Sequence, residues 1–239
     1  MKRVLKWIGI VVAVLLVLVG AAWYSAFGNT SDIVDGQELV PGVQVVKDGF
    51  VAVFTIDAGL GKVVLVDAGR DESGKAILAA LGKRGLTPAS VSAILLTHGH
   101  PDHTAAAKLF PDAKVYASKS DVALVGDKVK VTNPLEDNEV FDVGELHVES
   151  FATPGHTPGS VVYFIKGVLF FGDSAGASKN GEVLKAVRLF SKDSAQNVAS
   201  LKALAAKLQP RAGEVKELAF AHTGPLAGFA PLAAFAAKP

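Results

Sequence analysis

The chain has 239 residues, half of them hydrophobic, with 24 Lys and Arg against 23 Asp and Glu and a formal net charge of +1. That length suits one large domain, and a near-neutral chain with scattered lysines has no electrostatic footprint for nucleic acid. There is no cysteine, which excludes disulfides, thiolate ligands and a cysteine nucleophile and leaves metal binding to histidine and carboxylates.

Lys2, Arg3 and Lys6 precede an uncharged stretch of 21 residues, Trp7 to Phe27. As a helix it would be roughly 31 Å long at ~1.5 Å per residue, enough to cross a bilayer core. Trp7, Trp23 and Tyr24 lie where interfacial aromatics are expected. Residues 1–29 therefore read as an N-terminal transmembrane anchor, or as a signal segment if Gly20-Ala21-Ala22 is cleaved. Basic residues before the stretch, with Asp32 and Asp35 after it, put the N-terminus in the cytoplasm. Residues 30–239 would then face the periplasmic or extracellular side, and cleavage would make them secreted.

Asn29 to Glu38 is polar and reads as a linker. Val43–Val46, Val51–Ile56 and Lys62–Val66 are rich in β-branched residues and are separated by Asp-Gly and Gly-Leu-Gly turn signals, which predicts strands. A helix is expected over Ser73–Lys83, a strand over Val91–Leu96, a helix over Thr104–Phe110 and a strand over Lys114–Ala117. Leu146–Phe151, Val161–Ile165, Val168–Phe171 and Leu218–Ala221 again read as strands. Val198, Leu201, Leu204 and Leu208 recur at helical spacing within Ser194–Leu208, a core-packing stripe. Hairpin-like strands first and interspersed helices later imply an α/β fold, a four-layer αββα sandwich of two mixed sheets flanked by helices.

Five of the six histidines fall into three short clusters. The densest is Thr97-His98-Gly99-His100-Pro101-Asp102-His103, directly after an apolar strand. His98 and His100 are two apart on an extended segment and point the same way, while Asp102 and His103 face the same space from the start of a helical run. Such a set suits Zn²⁺ or another borderline divalent metal. Thr153-Pro154-Gly155-His156-Thr157-Pro158-Gly159 holds a histidine in a stiff loop, and Asp173 and His222 each end an apolar strand, as does Asp67. Strand ends along one sheet edge converge, which is where α/β folds place their sites. His147 alternates with Glu145 and Glu149 and is read as solvent-facing, whereas Phe164, Phe170 and Phe171 are read as core.

His98-Gly99-His100-Pro101-Asp102-His103 resembles the His-x-His-x-Asp-His signature of the metallo-β-lactamase superfamily. Gly155-His156-Thr157-Pro158-Gly159-Ser160 resembles its second histidine motif, and Asp67, Gly172-Asp173 and His222 match its remaining positions in the same order. The resemblance implies two divalent metal ions, Zn²⁺ by preference with Fe or Mn as alternatives. His98, His100 and His156 would hold one; Asp102, His103 and His222 the other; Asp173 would bridge them. Asp67 would steady the histidine loop from behind the ligands, and Thr97 and Thr157 would hydrogen-bond around the site.

An aspartate at 173, where β-lactamases of this superfamily usually carry cysteine or serine, points to the glyoxalase II-like and lactonase-like branch. No long C-terminal extension of the kind that holds a glutathione thioester follows. The resemblance thus implies a hydrolase that uses a dinuclear-metal-bound hydroxide, with Asp102 as its catalytic residue, on an ester, thioester, lactone or phosphoester of a small-molecule substrate. Two rival readings are a mononuclear iron enzyme that oxidises sulfur on the same fold and a non-enzymatic membrane-tethered binding domain. The loops Lys119–Asp137 and Gly176–Ser191 would set specificity and carry no readable code.

Overall fold

The computed structural model describes residues 2–127 and 129–239, with the side chains at 2–5, 9, 22 and 25–27 excepted. The chain divides into two compact units, Met1–Thr30 and Ser31–Pro239. The first consists of one 26-residue helix, α1 (Lys2–Phe27). Among the described residues no helix is long and apolar enough to cross a membrane. The sequence-based expectation of a transmembrane helix in 1–29 is not supported among the described residues, and part of its apolar run lies outside them.

The second unit is built on two mixed sheets. The first has seven strands in sequence order: β1 (Glu38–Val40), β2 (Val43–Asp48), β3 (Val51–Asp57), β4 (Val63–Val66), β5 (Val91–Leu95), β6 (Lys114–Ser118) and β7 (Asn133–Leu135). β1 to β4 form an antiparallel meander, and β4 to β7 run parallel, linked by crossovers. The crossovers contain α2 (Lys75–Lys83), α3 (Pro101–Thr104) and α4 (Val122–Val125). The second sheet contains β8 (Val140–Val143), β9 (Leu146–Ala152), β10 (Val161–Ile165) and β11 (Val168–Phe170). After a separate hairpin, β12 (Ala175–Ala177) and β13 (Val183–Lys185), it is completed by β14 (Glu217–Ala219) and β15 (Leu226–Ala227), in the order β15-β14-β11-β10-β9-β8. α5 (Ser194–Leu208) precedes β14, and α6 (Ala230–Ala236) ends the chain.

Three hydrophobic clusters define the layers. Val45, Phe54 and Val64 of the first sheet meet Val148, Tyr163 and Phe170 of the second, and Phe54 and Phe170 pack edge to face with ring centroids 5.1 Å apart. The outer face of the first sheet is covered by Ile77 and Leu81 of α2. That of the second is covered by Leu201, Leu204 and Leu208 of α5 and Leu232 of α6. Helix, sheet, sheet and helix thus stack as four layers. β4 reads Val-Val-Leu-Val and is buried on both faces because each has a layer against it. Each fully buried aliphatic side chain contributes about 1.5–3 kcal/mol.

The expected helix over Thr104–Phe110 is not formed. Pro101 opens α3, but after His103 the backbone turns to the Asp67 loop: Ala105 N–H donates to Gly69 O at 3.1 Å and Ala106 N–H to Ala68 O at 3.1 Å. These long-range bonds take the place of helical ones, and only a 3₁₀ turn, Ala107–Leu109, follows.

Candidate metal centre

Every candidate ligand follows a strand. His98 and His100 follow β5, with Asp102 and His103 on α3 just beyond; His156 lies between β9 and β10; Asp173 follows β11 and His222 follows β14. The two sheets therefore contribute from opposite sides of one edge. Three sets of side chains, His98–His100–His156, His98–His103–Asp173 and Asp102–His103–His222, each bring their ligand atoms within 4.8 Å of one another.

The hydrogen bonds behind the rings decide which nitrogen is free. His103 Nδ1 donates to Asp67 Oδ2 at 2.8 Å, and His222 Nδ1 donates to the Phe50 carbonyl at 2.9 Å. Thr97 Oγ1 donates to Asp67 Oδ2 at 2.8 Å, so it accepts from His98 Nδ1 at 3.1 Å. Ser191 Oγ donates to Val187 O at 2.9 Å, so it accepts from His156 Nδ1 at 3.3 Å. All four rings are left with Nε2 directed inward, as in metal-ligating histidines. His100 presents Nδ1 instead, 3.0 Å from both His98 Nε2 and His156 Nε2.

Asp173 lies where the two groups meet. Its Oδ1 is 3.3 Å from His103 Nε2, and its Oδ2 is 3.6 Å from His156 Nε2 and 3.1 Å from His222 Nε2. Asp102 Oδ2 is 3.5 Å from His222 Nε2 and 3.8 Å from His103 Nε2. His103 Nε2 and Asp173 Oδ1 are buried without a hydrogen-bond partner. Orphaned buried polar atoms are costly, and here they face each other across the place where a cation would satisfy both.

Burial pushes the His98 imidazole well below its usual range, and His103 reinforces this. Burial also brings His156 down to about 4, against the pull of Asp173. Burial would lower His103 too, but the Asp173 and Asp67 carboxylates raise it well above its ordinary value. Burial would raise Asp173, yet His103 and His222 hold it well below the carboxylate range. One side of the site thus offers neutral nitrogen donors, and the other a field that draws in positive charge. This donor set fits divalent metal.

Asp67 occupies the left-handed region at φ 61°, a strained conformation for a residue other than glycine. Its carboxylate also accepts the Thr97 amide at 2.8 Å. One buried side chain thus orients His98, through Thr97, and His103 directly. His147 is two-thirds exposed, 3.0 Å from Asp142, and belongs to none of these groups. Phe164, Phe170 and Phe171 are buried.

Sequence reasoning missed Asp121. It is fully buried, and its Oδ2 accepts the Gly99 amide at 2.9 Å and the Thr157 hydroxyl at 2.7 Å, while Oδ1 accepts the Gly159 amide at 2.7 Å. It ties the loop of His98 and His100 to the loop of His156. A Cβ at Gly159 would lie 2.8 Å from Asp121 Cβ, so glycine is needed for this approach. Asn197, also fully buried, was missed as well: its side chain holds the Ser174 carbonyl and the Ala186 amide beside the same loop. The Asn180-Gly181 pair, a hairpin turn signal, could have revealed the β12–β13 hairpin inside the segment read as a loop.

The site defines a class: a carboxylate- and histidine-lined divalent-metal centre at the edge of an αββα sandwich. The chain belongs to the metallo-beta-lactamase superfamily, whose family model matches residues 46–212. It is 36% identical over 140 residues to a hydroxyacylglutathione hydrolase of Cronobacter sakazakii, a match covering 56% of this chain and 51% of that one. It is 34% identical over 87 residues to a protein of Bacillus velezensis named "probable polyketide biosynthesis zinc-dependent hydrolase", covering 35% of this chain and 39% of that one. The chain spans about half the length or less of these curated relatives. A crystal structure of a metallo-beta-lactamase family protein from Thermus thermophilus superposes with a TM-score of 0.62 at 22% identity, over 84% of this chain and 80% of that one.

Proposed function

We propose that this chain is a metallo-hydrolase that works with two divalent ions, zinc by preference, and cleaves an ester, thioester, lactone or phosphoester of a small molecule. Asp173 carries the reading: its two carboxylate oxygens face His103 on one side and His156 and His222 on the other. His98, His100 and His156 would hold one ion, Asp102, His103 and His222 the other, with Asp173 shared. A pair of such ions supplies an ionised water nucleophile near neutral pH and polarises the bond under attack.

The residues of this chain supply the rest. Asp67, Thr97, Ser191 and the Phe50 carbonyl keep the imidazole tautomers fixed, so no ligand has to reorganise during turnover. Asp102 is the ligand carboxylate most open to solvent, with 31% of its side chain exposed against 14% for Asp173. It is therefore the group placed to accept a proton or hydrogen bond from the nucleophile at the substrate-facing side.

The test is metal analysis of the purified chain, with turnover measured on a panel of the four substrate types. Close to two equivalents of zinc with turnover on one type is expected. A single equivalent of iron, with oxygen consumed on a sulfur substrate, would overturn the reading. Placement of residues 30–239 outside the cytoplasm, with 1–29 as an anchor, is also proposed. It is supported by the charge asymmetry around α1 and by exposed apolar side chains such as Leu16, Val17 and Trp23. Recovery of the chain from the soluble fraction without trimming would sink it.

A further inference from the structure

Among the described residues, half of the exposed large apolar side chains of the second unit lie on segments that adjoin the metal centre. Phe50, Leu124, Leu189 and Phe190 are 44 to 81% exposed. Each sits beside a group that holds a ligand loop. The Phe50 carbonyl accepts His222 Nδ1, and its ring stacks on the His222 ring at 5.7 Å with Arg70 against the same phenyl at 4.6 Å. Leu124 lies three residues after Asp121, and its Cβ would be 2.9 Å from a Cβ placed at Gly99, between His98 and His100. Leu189 and Phe190 form the 3₁₀ turn just before Ser191, which holds His156. Three separate segments that carry exposed apolar side chains thus adjoin three ligand loops of one metal centre.

Exposed apolar side chains scattered singly need no explanation. Convergence of three segments on the one polar, metal-binding edge of the fold does. Charged or polar side chains would stand in these places if the rim were to bind a peptide-like or highly charged leaving group. We infer that the substrate carries a hydrophobic acyl chain, which lies across the rim of Phe50, Leu124, Leu189 and Phe190 while its carbonyl reaches the metals. This rests on the hydrolase reading above and narrows it to acyl esters, acyl thioesters or acyl-bearing lactones. The scissile acyl–oxygen or acyl–sulfur bond is replaced by a bond to water oxygen, giving a carboxylic acid and a free alcohol or thiol, which for a lactone remain joined in one ring-opened hydroxy acid.

The zinc-loaded full-length chain is assayed on p-nitrophenyl esters from acetyl to octanoyl, alongside a p-nitrophenyl phosphodiester. Binding of acetohydroxamate and octanohydroxamate is measured by calorimetry. Each methylene moved from water to an apolar surface favours binding, so kcat/KM and hydroxamate affinity should both rise about tenfold or more from acetyl to octanoyl. Leu124→Ser and Leu189→Ser should each remove a factor of about three from the octanoyl values, mainly through KM, and lower the acetyl values by less, so that the octanoyl-to-acetyl ratio falls. Leu60→Ser should change nothing, because Leu60 is 96% exposed in the turn between β3 and β4 at the opposite strand ends. Turnover with no dependence on chain length, or on the phosphodiester alone, overturns the acyl inference and leaves the hydrolase reading standing. No turnover on any ester, with hydroxamate affinities that ignore chain length, overturns both.

Discussion

Asp102 lies between two histidine ligands in sequence and between His103 and His222 in space. Its neighbours are fixed by bonds to Asp67 and to the Phe50 carbonyl, whereas its own side chain has none that would hold it away from the substrate side. Asp102→Asn keeps the size but loses the negative charge and one acceptor. Turnover should fall at least about 100-fold, the lower end of what a positioned proton acceptor contributes, and the second metal should bind more weakly. His147→Ala is the companion variant: an exposed histidine paired only with exposed Asp142 should change stability by less than about 0.5 kcal/mol and leave metal content alone. Steady-state kinetics, metal content and circular dichroism on both variants check the pair. Wild-type turnover in the Asn variant, or metal loss in the His147 variant, would mean that the roles are assigned wrongly.

At the scale of elements, the short segment from Lys119 to Val125 holds two ligand loops together. Asp121→Ala would strand the Gly99 and Gly159 amides, each buried and each costing about 1–3 kcal/mol when unsatisfied, and would leave the Thr157 hydroxyl with Ser160 Oγ alone. Affinity at the His98–His100–His156 group should drop about 10- to 100-fold, as when groups that orient ligands are removed. Asp121→Asn keeps one acceptor oxygen and should recover part of that loss. Competition against a metal-sensitive dye gives the affinities, and an Ala variant with wild-type affinity would exclude the role. This element also shows where reading the sequence stops. The convergence of the candidate ligands was legible because strand ends are punctuated by Gly and Pro and because histidines rarely cluster without a partner. Asp121 was not, since a single aspartate between Ser120 and Val122 looks like any surface acid until two distant glycine-bearing loops close on it. Asn197 was hidden for a similar reason: it takes a buried position on α5 next to Val198, which is only half-buried, inside a stripe that reads as apolar. The Thr104–Phe110 helix failed because its backbone bonds went to a segment far away in sequence, a competition no local propensity records.

Across the second unit, the metal centre joins what the chain order keeps apart. Asp67, His98, His100, Asp102 and His103 come from the half that builds the first sheet, and His156, Asp173 and His222 from the half that builds the second. The apolar interface between the sheets packs without metal, but at the ligand edge the sheets meet through lone pairs, carboxylates and two orphaned polar atoms. Divalent metal bound there would close that edge and stabilise only the folded state, by roughly 4 kcal/mol at a thousandfold excess over the dissociation constant. For a unit of this size that corresponds to about 10 °C in melting temperature. Chelation should therefore lower the Tm of the full-length chain by about that amount, and zinc should restore it. His98→Ala and His222→Ala, one ligand from each half, should each lose most of the zinc-dependent increment. Hydrogen exchange after chelation should quicken first at the segments following β5, β11 and β14, while the buried centres of β4 and β10 stay protected. A Tm indifferent to chelator, or exchange that quickens evenly over both sheets, would show that the ions do not link the two halves.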